Sequence, residues 1–474
     1  MIKKPKQSVS FCRSALLKGG SRLLSRLLSR LFIVLFSTSC LASTTKEITE
    51  NLTHEILKNS QAYSNLKELV AGGSRLSGSA GAAHAVEWGK SKLESYGFDK
   101  VWLQEVMVPH WERGHRETAV ITSGAKAKLQ VAALGNSVGT GDKGIEAEVI
   151  EVSGIDDAIL KGPKLKDKIV FFNGPMDPTV MDTFEAYGRS VKQRTRGAAQ
   201  ASQFGAVAVL VRSMTMNHDM HLHAGVMQYK DAPQKIPAAT IATADADKLS
   251  ELLKSNKIRI KLNLSAKSFD QVKSYNVIGE MTGSELPNEF IVVGGHLDSW
   301  DLGPGAQDDG VGVVQSIEVL RAMRALSIKP KRSIRVVLFM AEEFGGFGGD
   351  EYAKQAALKK ELHIAAVESD RGGFTPRGFE TSAEGSALKK LESWKEYFLP
   401  LKSDLIKKGE GGTDIEPLRE SGTAQFGLFP DSARYFDYHH TQIDTIDAVN
   451  ARELNLGAAA MSVLIYLISD EGLK

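Results

Sequence analysis

Residues 294–312 read GGHLDSWDLGPGAQDDGVG. One histidine and four aspartates stand there between a β-like apolar run, EFIVV, and a helix-like run, VGVVQSIEVLRAMRAL. Carboxylates crowded this closely repel one another and are costly to desolvate. A chain that puts them where a strand ends must leave them on a solvated loop or set something strongly positive among them. The surrounding pattern decides what kind of fold can carry such a segment.

From about Ser274 the β-like runs NVIGEMTG, EFIVVGG, SIRVVLFM, HIAAVES and AQFGLF are mostly separated by helix-like segments at 309–326, 349–360, 384–397 and 414–421. A final helix, ARELNLGAAAMSVLIYLIS, follows. The alternation predicts an α/β fold with a mainly parallel mixed sheet and helices on both faces. In such sheets ligands bind at the carboxyl ends of strands. Two helix-like segments, 46–71 and 80–96, and the strand-like YGFDKVWLQEVMV come earlier. Between 119 and 267 short β-like runs alternate with glycine around one clear helix, TRGAAQASQFG, which predicts a β-rich inserted domain. The expected organisation is a signal segment over 1–42, the main domain over 43–118 and 268–474, and the insert over 119–267.

Residues 1–42 hold eight Lys/Arg and no acid, then the apolar LFIVLF and the small STSCLAS. This is the pattern of a secretory signal with a long basic front, and it predicts a secreted or periplasmic protein. A cut after Ala42 puts Cys40 at the −3 position; a lipid anchor on Cys40 is the alternative. The apolar run is far short of the ~20 residues of a membrane span. Without this segment the formal charge of +2 becomes −6, with 51 basic and 57 acidic residues, so no nucleic-acid partner is expected. Cys12 and Cys40 are the only cysteines, so the body has neither a disulfide framework nor a thiolate metal ligand.

The polar groups line up by position. His296 and Asp298 follow one predicted strand, Glu342 and Glu343 a second, and Asp370 a third. Asp308 lies in the loop that enters the next helix, and His440 in YHHTQIDT. The three strand-end sets should meet at one edge of the sheet. Imidazole and carboxylate without Cys suit Zn²⁺. So many carboxylates suit two ions ~3.5–4 Å apart with a carboxylate between them. Adjacent side chains leaving a strand point to different sides, so one glutamate can ligate while its neighbour acts as general base. The His-x-Asp spacing lets Asp298 hold the far nitrogen of His296.

HLDSWDLGPGAQDDG, AEEFGG, ESD and HHTQIDT together resemble the ordered motif of the M28 family of co-catalytic zinc peptidases. QRTRGAAQASQFGAVAVLVRS and KIPAATIATADADKLSELL resemble the protease-associated segment that members of this kind carry. The likeness runs from roughly Tyr63 to the end. It implies the zinc exopeptidase fold and two zinc ions per chain. His296, Asp308 and Asp370 would hold one ion, and Asp308, Glu343 and His440 the other, with Asp308 as the bridge. Glu342 would be the general base and acid, Asp298 the support of His296, and Asp308–Asp309 a cis peptide. The resemblance further implies a homodimer acting on short peptides, as a dipeptidase or carboxypeptidase. An aminopeptidase of the same family is the nearest rival. A non-catalytic binding protein of the same fold is disfavoured, because every ligand and Glu342 are present.

Other residues receive plainer expectations. His439 neighbours the ligand His440. Asp301 and Asp309 serve backbone bonds of their own loop. His218, His221 and His223 in NHDMHLHAG imitate a metal cluster without accompanying carboxylates, and the likeness sets His223 near substrate. Gly409–Ile415 lines a specificity pocket, as the resemblance implies, or forms a turn before a helix capped by Thr413 or Asp414. Arg371 and Arg434 are the candidates to grip a substrate carboxylate.

Overall fold

The computed structural model describes residues 45–124 and 126–474. The expected signal segment and Cys40 lie outside them. Residues 51–474 make one compact unit. In the other unit, Met1–Glu50, residues 45–50 are helical.

Sixteen strands among the described residues form two eight-stranded sheets. β1 (Lys100–Glu112) opens the first sheet. The second sheet takes the next eight strands. They are β2 (Glu117–Ile121), β3 (Ala127–Leu129), β4 (Val131–Ala133), β5 (Ile145–Val152), β6 (Ile169–Phe172), β7 (Ala208–Arg212), β8 (Ala238–Ile241) and β9 (Arg259–Leu264). The chain then returns to the first sheet through β10 (Lys267–Met281), β11 (Leu286–His296), β12 (Arg332–Phe339) and β13 (Leu362–Glu368). β14 (Pro376–Thr381), β15 (Leu405–Lys408) and β16 (Ala424–Pro430) complete it.

The first sheet runs β1-β10-β12-β11-β13-β16-β14-β15. Its centre, β12-β11-β13-β16, is parallel, while β1-β10-β12 and β16-β14 are antiparallel. The mixed α/β sheet is therefore present. β14 and β15 escape sequence reading because each is only four to six residues long and carries Gly, Pro or Lys. Helices Ala80–Ser95, Val311–Ala325 and Ala451–Glu471 pack on one face, and helix Phe347–Lys359 on the other. Helix Ala451–Glu471 starts at Asn450, whose side chain accepts the N–H groups of Arg452 and Glu453. It is the one described helix long and apolar enough to cross a membrane, and most of it is buried in this core.

β11 explains the opening stretch locally. Phe290 to His296 are all buried, as a central parallel strand requires. Gly294 and Gly295 end that run. A Cβ on Gly295 would sit 2.4 Å from the Asp309 carboxylate and 2.9 Å from the Gly312 backbone. Only glycine lets the acidic loop and the start of helix Val311–Ala325 come this close to the strand.

The second sheet runs β3-β2-β9-β5-β6-β7-β8-β4, with β5-β6-β7-β8 parallel. Four helices lie in the same stretch of chain: Ile155–Lys161, Thr183–Ser190, Lys192–Ser202 and Thr243–Ser255. The expected β-rich texture with one helix is thus richer in helix than its sequence suggests. Two of these helices, Ile155–Lys161 and Thr183–Ser190, are only seven and eight residues long, too short to establish a hydrophobic period. Trp300 and Phe344 from the main sheet's loops join the core on one face of this second sheet. Phe374, Tyr435 and Phe436 join the core on the other.

Candidate metal centre

The parallel register brings three strand ends together. His296, the last residue of β11, pairs with Phe339, the last of β12, and Gly294 pairs with Glu368, the last of β13. Just beyond these ends come Glu342, Glu343 and Asp370. Asp308 enters from the loop before helix Val311–Ala325, and its peptide to Asp309 is cis. His440 enters from the loop before the last helix with a left-handed backbone, φ 63°.

The side chains converge in two groups around Asp308. His296 Nε2 is 3.2 Å from Asp308 Oδ1 and 3.4 Å from Asp370 Oδ1. His440 Nε2 is 3.2 Å from Asp308 Oδ2 and 3.1 Å from Glu343 Oε2. The two oxygens of one carboxylate therefore face different groups. Both histidines direct Nδ1 at a backbone carbonyl: His296 at Asp298 (3.1 Å) and His440 at Ala224 (3.3 Å). A carbonyl only accepts, so Nδ1 carries a proton and Nε2 is the nitrogen turned towards the carboxylates. Asp308 Oδ2, Glu343 Oε1 and Asp370 Oδ1 are buried without a hydrogen-bond partner. An imidazole nitrogen this close to carboxylate oxygens needs a proton or a metal ion between them. Donors about 2.0–2.2 Å from a tetrahedral zinc lie about 3.3–3.6 Å apart, so the donor set and spacing fit that ion.

Electrostatics agree. Burial pushes Glu342 well above the ordinary carboxyl range, raises Glu343 to about 7, and also raises Asp370. Burial opposes charge on Asp308 too, yet His296 and His440 hold it well below its usual value. Burial pulls His440 down, but Glu343 and Asp308 push it up to about 9. His296 stands well above its usual value for the same reason: Asp370, Asp298 and Asp308 outweigh burial.

The supporting residues differ in part from expectation. The Asp298 carboxylate is 3.7 Å from His296 Nδ1 and instead accepts the N–H groups of Ala341 (2.8 Å) and Glu342 (3.2 Å). It thus fixes the loop that carries both glutamates. Asp309 accepts the N–H groups of His296 and Gly312, each at 3.0 Å, as a loop-serving residue should. Asp301 does not serve its own loop; it pairs with Arg113 at 2.5 Å. His439 stacks on His440 with ring centroids 3.5 Å apart, and its Nε2 is 3.8 Å from Asp308.

Two supports escaped sequence reading. Asp444 accepts the N–H groups of Gln307 (2.7 Å) and Asp308 (3.1 Å), so HHTQIDT carries both His440 and the brace of Asp308. Arg75 is fully buried and donates to the carbonyls of Leu297 (2.7 Å), Pro304 and Gly305 (3.0 Å). It shapes the loop from His296 to Asp308 and sets a positive charge beneath the carboxylates. Its GGSRLSGS context gives no sign of this.

A cavity of about 260 Å³ opens over Asp308, Glu342, Glu343 and Asp370. Phe184, Tyr187 and Arg194 from the second-sheet region line its opposite wall. Arg194 is 5% exposed, its Nη1 donates to the Ala224 carbonyl (3.3 Å), and its Nε has no partner. It forms no ion pair with a carboxylate among the described residues. Arg371 is paired with Glu380 at 2.6 Å, and Arg434 is 3.7 Å from Glu453; neither lines this cavity. The signal for Arg194 was its place in the stripe that continues through Ala198 and Ala201, both buried.

The remaining candidates scatter. His218 is 3.2 Å from Asp247, His221 meets Gln442, and His223 is buried with Nδ1 on the His439 carbonyl. Burial lowers His223 to about 3, so it stays neutral, and it does not line the cavity. Gly409–Ile415 lies under β13, where Ile415 N–H donates to Glu368, and the 3₁₀ turn that follows has no side-chain cap.

The comparisons with known proteins are consistent with this geometry. Residues 276–465 match the model of peptidase family M28. Carboxypeptidase Q of Bos taurus is 35% identical over 422 residues, covering 89% of this chain and 88% of the relative. The crystal structure of a peptidase M28 precursor from Shewanella amazonensis SB2B is 34% identical, with a TM-score of 0.88, covering 91% of this chain and 98% of that one. A zinc aminopeptidase from Bacillus subtilis, 22% identical with a TM-score of 0.61, shares the fold; the alignment covers 85% of this chain and 94% of that one. The chain is a metallo-exopeptidase and belongs to peptidase family M28.

Proposed function

We propose that this chain is a dizinc exopeptidase that hydrolyses dipeptides or removes C-terminal residues from short peptides. His296, Asp308 and Asp370 would hold one ion, and Asp308, Glu343 and His440 the other. The support is the Asp308 carboxylate, whose two oxygens face separate His–carboxylate sets at 3.2 Å each. Zinc bound there supplies Lewis acidity that acidifies water and polarises a peptide carbonyl. Glu342 lines the cavity, and burial holds its carboxyl well above the ordinary range. It takes a proton from the attacking water and delivers it to the departing amine. Asp298 positions Glu342 through its backbone N–H. Tyr187 and Phe184 exclude water from the opposite wall.

The carboxypeptidase reading, rather than the aminopeptidase one, rests on Arg194. A buried guanidinium without a carboxylate partner, lining the cavity over the carboxylates, matches a peptide's free C-terminus. The relatives named carboxypeptidase Q support the same choice. A volume of about 260 Å³ suits a dipeptide better than a longer chain. The second-sheet region, residues 119–267, is read as a protease-associated insert that roofs the cleft. The N-terminal composition supports export, with either a soluble or a Cys40-anchored product. A homodimer remains part of this reading on the strength of the family likeness.

Free and end-blocked dipeptides test it. An N-acylated dipeptide should be cleaved and a C-terminal amide refused, with Arg194→Gln raising KM for the free acid at least tenfold. Cleavage of the amide with refusal of the acylated substrate means an aminopeptidase. No hydrolysis of any peptide by zinc-reconstituted protein returns the binding-protein reading.

A further inference from the structure

The two ligand histidines are supported differently. His296 leans on a carbonyl two residues away, Asp298. His440 leans on Ala224, 216 residues earlier, in the second-sheet region. The contact is reciprocal, because Ala224 N–H donates to the His440 carbonyl at 3.2 Å. That pair of bonds brackets a non-glycine residue in the left-handed region, φ 63°, a conformation that needs outside support. Next to it, His223 Nδ1–H donates to the His439 carbonyl at 2.9 Å.

The segment 223–225 is itself tied into the second sheet. His223 N–H donates to Ser213 Oγ (3.1 Å), Gly135 N–H donates to the Gly225 carbonyl (2.9 Å), and Gly135 bridges to Val226. Gly225 has φ 123°, and a Cβ there would lie 2.5 Å from Arg194 Cζ and 2.8 Å from His440 Nδ1. Arg194 Nη1 and His440 Nδ1 both donate to the one Ala224 carbonyl, each at 3.3 Å.

We infer that His223–Gly225 is a clamp that positions His440, so the ion held by His440 depends on the second-sheet region while the ion held by His296 does not. The clamp fixes the Nδ1–H tautomer and the backbone turn of His440, the part an outer support plays for a metal-binding imidazole. It also joins the guanidinium offered to the substrate carboxylate to a metal ligand through one oxygen. His223, Ala224 and Gly225 are positioning residues and touch no reacting atom. The inference rests on the two-zinc reading.

Zinc titration against graded chelators, on full-length protein, separates the possibilities. Wild type should hold two zinc ions. His223→Ala and Gly225→Ala should each retain one ion at wild-type affinity and bind the other about tenfold or more weakly. His223→Asn, whose amide N–H can replace Nδ1–H, should restore the second ion. If Gly225→Ala does not fold, the two His223 variants carry the comparison, with melting of the metal-free forms as the folding control. Unchanged affinity at both sites in His223→Ala, or equal weakening of both, overturns the clamp. Wild type that binds fewer than two ions overturns the two-zinc reading instead, and the clamp with it.

Discussion

At the scale of single residues, the set proposed for the metal centre was legible because each member sits beside a strong local signal. His296, Glu342, Glu343 and Asp370 follow buried apolar strands, and Asp308 and His440 sit in acid- or His-rich loops. The supports were harder to read. Arg75 satisfies carbonyls 222 to 230 residues away, and no local pattern reports a contact of that range. Glu342→Gln should keep two zinc ions by metal analysis and lose about 10²–10⁴-fold in kcat; near-normal turnover would reassign the base. Proton bookkeeping gives a second prediction. Without zinc, His440 titrates at about 9 and Glu343 at about 7, so at pH 7 His440 carries its proton and Glu343 is partly protonated. Zinc requires both free of protons. Zinc uptake at pH 7 should therefore release at least one proton, and apparent affinity should rise as pH goes from 6 towards 9. Calorimetry in buffers of different ionisation enthalpy measures this; uptake without proton release would contradict it.

At the scale of elements, the central parallel strands and the long final helix were readable because each holds a long apolar stretch. The short β14 and β15, and helices such as Thr243–Ser255 in the second-sheet region, were not, since their stability comes from neighbours rather than from their own pattern. The junction of β11 with its acidic loop depends on Gly295. Gly295→Ala would drive a methyl group against Asp309, which holds the His296 N–H. We expect a loss of about 1–3 kcal/mol in urea unfolding, together with weaker zinc binding. Wild-type stability and zinc content in that variant would show that the loop has room to shift.

At the scale of the whole molecule, the second-sheet region was visible in the sequence as a change of texture, but its integration was not. Trp300 and Phe344 fill one of its cores, and Tyr435 and Phe436 the other, although all four come from segments that follow strands of the main sheet. A chain with residues 119–267 replaced by a short linker would uncover these side chains. It should aggregate or melt far below the full chain, and it would lack the Ala224 support of His440. A soluble, cooperatively folding product would argue that the two sheets are independent.

The distance along the chain between Ala224 and His440 also sets an order of events in biosynthesis. A polypeptide emerging from the ribosome can form the Ala224 segment long before His440, 216 residues later, exists. The proposed centre, with His440 in it, cannot assemble until His440 has been made, so the nascent chain is inert up to that point.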